Sequence, residues 1–279
     1  MTIDDTPRTL VLVAFPPEWA ALAPLIEDAQ ERQVQGRTIL LGMLSGLAVI
    51  LAETGVSMVN AAMTTQALID RLAVERIVVS GIAGGIDPAL AVGDVVVPAA
   101  WGQFLEVGMG RATGAGFTLP PLPGATDLPA YGMMMPRDVL VATDGGVAPM
   151  RWIPVDADLL ALARALAMGE DARLVVGGRG TSGTGFVDHA DYRRYLLATF
   201  GAQVVDMESA AIAQVAFVNA VPCIVFRALS DLAGGEVDDN ALPAFMARAS
   251  ENAARAVAAF LSAISAGRGS GTAAPSAGA

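Results

Sequence analysis

The feature that most constrains this chain is a repeated alternation of short, β-branched apolar runs with Ala-rich segments of helical periodicity. Residues 9–15 form a Leu/Val run ended by Pro16 and Pro17, and a helix is expected over 17–29, where Trp19, Leu22, Leu25 and Ile26 fall at helical spacing. Strands are expected at 38–41 and 47–53, joined by a turn at Ser45 and Gly46. Ser57 reads as the cap of a helix running to about Leu72, and 76–80 as a strand entering a glycine-rich turn. Further strands are expected at 94–98, 173–176, 203–206 and 221–229, and further helices at 156–168, 188–199, 207–218 and 241–264. This order predicts an α/β fold with a largely parallel or mixed sheet and helices on both faces. In such sheets ligands bind beyond the carboxyl ends of the strands, so the polar residues there matter most.

At 279 residues the chain suffices for one large α/β domain or two small ones, and its 54% hydrophobic and 16% charged content excludes a disordered protein. We expect one domain over 1–265, with a Gly-, Pro- and Met-rich loop-like elaboration at about 101–154 and a disordered small-residue tail at 266–279. The net charge of −11, with no Arg cluster, repels phosphate backbones, so no nucleic-acid partner is expected. All 17 basic residues are Arg. The absence of Lys excludes a Schiff-base lysine, a pyridoxal phosphate anchor and a P-loop lysine. Cys223 is the lone cysteine and reads as a small buried hydrophobe; with no Cys pair and only His189, neither an intrachain disulfide nor a Cys- or His-rich metal site can form. A Ser-His triad would have to use His189. No metal and no cofactor are expected. The apolar stretch 210–226 is broken by Gln214, Asn219 and Pro222, and Asp4 and Asp5 stand where a secretory signal would be basic, so we expect a cytoplasmic protein without a membrane partner.

Three carboxylates share one topological address. Glu18 follows the first strand, Glu208 follows the strand 203–206, and Asp231 ends the run 221–230. Each also has a plain alternative: Glu18 and Glu208 as helix first-turn charges, Asp231 as a cap of the next turn. Asp206 competes with Glu208, although alternation along a strand turns it to the other face. The glycine-rich segment 80–85 lacks dinucleotide-site spacing and fits either close ligand approach or tight packing. Residues 54–57 precede a helix and could bind an anion there. Residues 182–186 place Phe186 beside flexible backbone as a shelf for a flat base.

Taken together, Ser80-Gly81-Ile82-Ala83-Gly84-Gly85 with 92–97, and Asp206-Met207-Glu208-Ser209-Ala210-Ala211 with 227–231, resemble the purine nucleoside phosphorylase family. The resemblance runs from Phe15 to about Phe260 and is strongest to the methylthioadenosine/S-adenosylhomocysteine nucleosidase branch; 101–154 matches poorly. It implies a three-layer fold with a central twisted mixed sheet, and cleavage of a purine nucleoside, a 5′-substituted adenosine, to release adenine. It implies Asp231 as the acid assisting protonation of purine N7 and Glu18 as the base activating water. Glu208 would hold the ribose hydroxyls, Met207 would pack near the sugar and Phe186 would stack on adenine. Phe15, Ile82, Ala83, Gly84, Val187, Arg227 and Ser230 complete the implied substrate-binding set, and a homodimer is implied as well. Ile82 departs from the Ser or Thr usual in the family, which disfavours phosphate as the nucleophile more than water. Tyr131 and Met133 to Met135 either line the 5′ side or pack as a loop onto the core. A phosphate-dependent phosphorylase and a non-catalytic nucleoside-binding relative remain as alternatives.

Overall fold

The computed structural model describes residues 4–168, 172–234 and 242–270. In chain order, β1 (Asp4–Val13) leads into α1 (Pro16–Leu22) and a 3-10 turn, Ala23–Leu25. The expected helix to residue 29 therefore stops early: Pro24 cannot continue it, and β2 (Glu27–Val34) follows instead. β2 is polar and exposed along nearly its whole length, an edge strand with no buried face to betray it in the sequence. β3 (Arg37–Leu44) and β4 (Leu47–Glu53) meet at Ser45 and Gly46, whose φ values of 51° and 78° suit the tight mirror-image turn of a two-residue hairpin. Next come α2 (Met58–Ile69) and β5 (Leu72–Gly85). The glycine-rich segment is thus a strand and not the expected turn.

β6 (Val95–Val97) and β7 (Ala100–Gln103) lead into the 101–154 region, which is less loop-like than expected. It folds into three small antiparallel pairs: β8 (Val107–Met109) with β11 (Met134–Pro136), β9 (Arg111–Thr113) with β10 (Gly116–Thr118), and β12 (Val139–Thr143) with β13 (Gly146–Met150). β14 (Ile153–Pro154) returns to pair with β7. α3 (Ala157–Arg164) is capped by Asp156, whose carboxylate accepts from the amides of Asp158 and Leu159. Then follow β15 (Leu174–Val176), β16 (Arg179–Ser182), α4 (Ala190–Phe200), β17 (Val204–Asp206), α5 (Ser209–Val218), β18 (Cys223–Asp231) and α6 (Leu242–Ser270). Since α6 continues to Ser270, the expected tail does not begin at 266; residues 271–279 lie outside the described residues. None of the described helices is long and apolar enough to cross a membrane.

The main sheet is mixed, and β5 is its pivot. One edge of β5 pairs in parallel with β18 from Ile77 to Gly84. The other pairs with β1 up to Val79, then with antiparallel β17 only at Gly84 and Gly85. Between those two partners the edge opens over residues 80–83. Every residue of β18 is buried, with α5 and α6 both packed on it, as the continuous apolar run requires. α2 packs against α5, and α1 against α6. Cys223 lies buried in this core, where desolvation pushes its thiol up to about 12 and leaves it unreactive.

Candidate active site

The gap in the β5 edge is filled by a side chain. Pro16 and Pro17 open α1 and carry no amide hydrogen to be capped, so Glu18, in the first turn, is free to turn its carboxylate back. The Ala14 amide donates to Glu18 Oε2 at 2.5 Å and the Ile82 amide to Oε1 at 2.8 Å. The carboxylate thus takes the place of a neighbouring strand at the residue where β5 has none. Glu18 is only 2% exposed, and desolvation raises its carboxyl from 4.5 to about 7 despite the opposing pull of Arg227.

Arg227, at 1% exposure, is the hub of the site. Its Nε donates to Ser209 Oγ at 3.0 Å and lies 2.7 Å from Asp206 Oδ2; Nη1 is 3.5 Å from Glu18 Oε1 and Nη2 3.4 Å from Glu208 Oε2. Burial works against its charge, but the three carboxylates together raise its pKa further above the ordinary range. Three acids around one guanidinium leave a surplus of negative charge, which favours keeping one acid protonated. Gly81 is required beside this hub: a Cβ there would meet Arg227 Nη1 head-on and stand 2.5 Å from Glu18 Oε1.

Asp206 does not turn to the other face, as expected from alternation: it lines the same cavity as Glu208 and pairs with the same Arg227, and the two differ in their partners. Asp206 accepts from the hydroxyls of Ser182 and Ser209 and from the amides of Glu208 and Ser209, so it caps α5 and anchors Arg227. Glu208 stands at the N-cap position without capping. Its Oε1 instead accepts from the Ser57 amide at 2.8 Å, and desolvation raises its pKa while Arg227 lowers it. Ser57 likewise makes no side-chain cap for α2; it holds φ at 90°, and the 54–57 segment serves an internal anion, the Glu208 carboxylate.

Asp231 closes the third side. Its Oδ1 accepts from Ser230 Oγ at 2.8 Å and its Oδ2 from the Ala233 amide at 3.0 Å. Desolvation raises its pKa against those two hydrogen bonds; Asp188 adds to the rise and Arg193 opposes it.

A cavity of about 230 Å³ joins these groups, with Glu18, Glu208 and Asp231 all in its wall. Phe15, Ile82, Ala83, Gly84, Phe186, Val187, Met207 and Ser230 also line it. Arg227 does not: it stands behind the carboxylates, in ion pairs with them. Ile82 contributes an apolar side chain to the cavity while its backbone binds Glu18 and accepts from Arg227. Phe186 is 62% exposed, a large aromatic face open at the cavity mouth.

Met246 lines the cavity without any signal in the sequence, because it lies on a distant helix, and Val56 joins it from the 54–57 segment. Tyr131 and Met133 to Met135 do not line it. Tyr131 packs on Tyr192 and Tyr195 of α4, Met134 and Met135 pair with β8, and Met133 is half exposed. His189 accepts from the Tyr192 amide as the cap of α4.

The sequence pattern described as Phosphorylase superfamily matches residues 8–262. A 5′-methylthioadenosine/S-adenosylhomocysteine nucleosidase of Colwellia psychrerythraea is 32% identical over 227 residues, covering 81% of this chain and 84% of its own. A structure of the Colwellia psychrerythraea nucleosidase in complex with adenine superposes with a TM-score of 0.72 at 27% identity, over 94% of this chain and 97% of its own. The Streptococcus pneumoniae nucleosidase bound to the transition-state inhibitor MT-ImmA superposes with a TM-score of 0.71 at 27% identity, over 93% and 100%.

Proposed function

The chain belongs to the phosphorylase superfamily, and from that membership we propose that it hydrolyses the N-glycosidic bond of a 5′-substituted adenosine of the methylthioadenosine/S-adenosylhomocysteine type, releasing adenine. The carrying observation is a buried carboxyl with a pKa of about 7, Glu18, in the same cavity wall as a second buried carboxyl, Asp231. Glycosidic cleavage passes through an oxocarbenium-like transition state, and the base leaves well only when protonated. Asp231, its proton affinity raised by burial, supplies the proton to purine N7. Glu18 accepts a proton from water as the water oxygen bonds to C1′, and a group titrating near neutrality is well matched to that task. Glu208 keeps lone pairs on both oxygens after binding the Ser57 amide and Arg227, enough to accept the ribose hydroxyls. Met207 packs against the sugar, and the open ring of Phe186 stacks on adenine.

Water is favoured over phosphate by charge. Among the described residues lining the cavity there are four carboxylates, Glu18, Asp206, Glu208 and Asp231, and no Arg. Arg227, behind these carboxylates, is already paired three times. A phosphate dianion would enter an acidic pocket without a counter-charge. Adenine release from 5′-methylthioadenosine and S-adenosylhomocysteine, assayed with and without phosphate, tests the proposal. Equal rates in both buffers support hydrolysis, and turnover only with phosphate would assign a phosphorylase. The Asp231→Asn variant is expected to lose activity by ~10²–10⁴-fold.

The same proposal places the enzyme in the cytoplasm, in a methionine-salvage role, as a homodimer. Val59 and Met63 on α2 and Val218 on α5, all half or more exposed or nearly so, offer an apolar face for the second copy.

A further inference from the structure

Asp231 sits at the end of β18, and the turn that follows it is held from outside the catalytic cluster. Arg193, half-buried on α4, donates from Nε to the Ile86 carbonyl at 3.0 Å and from Nη1 to the Leu232 carbonyl at 3.2 Å. Ile86 follows the last residue of β5, and Leu232 is the residue directly after Asp231. One guanidinium therefore ties the end of the pivot strand to the acid's own turn, using the planar fork that a lysine ammonium lacks. The same turn is fitted to α4 at a second point: Gly234 lies so close to the His189 and Ala190 backbone that a Cβ would stand 2.6 Å from it, at a φ of 93°. Within the turn, the Ala233 amide donates to Asp231 Oδ2, so a shift of Leu232 carries the acid's hydrogen-bond partner with it.

We propose that Arg193 is a positioning residue for Asp231, fixing the Asp231–Ala233 turn against the β5 end so that the acid's carboxyl faces the leaving base. The assignment rests on the reading of Asp231 as the acid and extends it to a residue outside the cavity wall. Two charged groups act on Asp231 from the neighbouring chain, and both come from the segment leading into and through α4: Asp188, exposed, and Arg193. They act in opposite senses. Asp188 strengthens the hold of Asp231 on its proton and Arg193 weakens it.

Those opposed senses supply a test that loss of packing cannot imitate. Steady-state kinetics of adenine release would be measured across pH for the wild type, Arg193→Met, Arg193→Lys and Asp188→Asn, with Asp231→Asn as the reference. Arg193→Met is expected to lower kcat by about 10²-fold with KM unchanged, since a misplaced acid penalises the transition state and not substrate binding. The limb of the pH profile that belongs to Asp231 should move to higher pH in Arg193→Met and to lower pH in Asp188→Asn. Arg193→Lys, which keeps the charge and loses the fork, should leave the limb in place and still lose part of kcat. A lowered kcat in Arg193→Met with an unmoved limb would mean a structural role only, and full activity in that variant would equally overturn the proposal. Full activity in Asp231→Asn would instead remove the underlying assignment of the acid, an outcome distinct from either.

Discussion

At the scale of single residues, Glu18 carries two properties that pull in opposite directions. Its carboxylate satisfies two backbone amides, yet burial makes its charge costly against the pull of Arg227, and Glu208 adds to that cost. A pKa raised from 4.5 to about 7 corresponds to about 3 kcal/mol in favour of the protonated form. The folded state thus binds more protons than the unfolded chain between those values. That stability is complete below pH 4.5 and is lost as pH rises through about 7. Glu18→Gln, which keeps an acceptor and removes the charge, should therefore gain stability over the wild type at pH 8, by up to about 3 kcal/mol, and gain little at pH 4.5. Urea melts at the two pH values check this, and a gain independent of pH would contradict it. The same variant should lose adenine release by ~10²–10⁴-fold, because the base is gone. In the wild type, with Glu18 as the proposed base, kcat/KM should rise with pH to a limb near 7, where burial has moved its carboxyl. At this scale the sequence was legible where a residue's address and chemistry coincide, as for Glu18, Glu208 and Asp231. Arg227 was less so, since three ion pairs from β17, α1 and the α5 cap cannot be read from its place mid-strand.

At the scale of elements, the buried strands and amphipathic helices announce themselves and the rest do not. β18 is a continuous apolar run because both its faces are covered, and it was visible for that reason. β2 was hidden because an exposed edge strand has no apolar alternation, and β8 to β13 because strands of three to five residues give a period-2 pattern too little length. β5 misled for a different reason. Its glycines signal a turn by composition, but Gly81 is there to let a carboxylate and a guanidinium approach the strand. Gly81→Ala should therefore leave the sheet paired while displacing Arg227 and Glu18, with kcat/KM lower by about 10²-fold. Comparing the variant's circular dichroism with its kinetics separates the two effects; full activity would show that the pair can retreat from a methyl group.

At the scale of the whole molecule, the exposed apolar side chains of α2 and α5 bear on assembly. Val59 is 73% exposed and Met63 51%, on the helix that packs on α5. Sedimentation should give twice the chain mass for the wild type and a single chain mass for Val59→Glu/Met63→Glu; a monomeric wild type would refute the homodimer. The opening between β1 and β17 has a broader consequence. On the proposed mechanism, Glu18 serves turnover and, independently, closes the backbone of the sheet where a strand is missing. A descendant of this protein that had abandoned catalysis, and kept only the ability to bind nucleosides, would still gain from an acceptor at position 18. Finding a carboxylate there in some other member of the superfamily would thus attest to this sheet architecture before it attested to any enzyme.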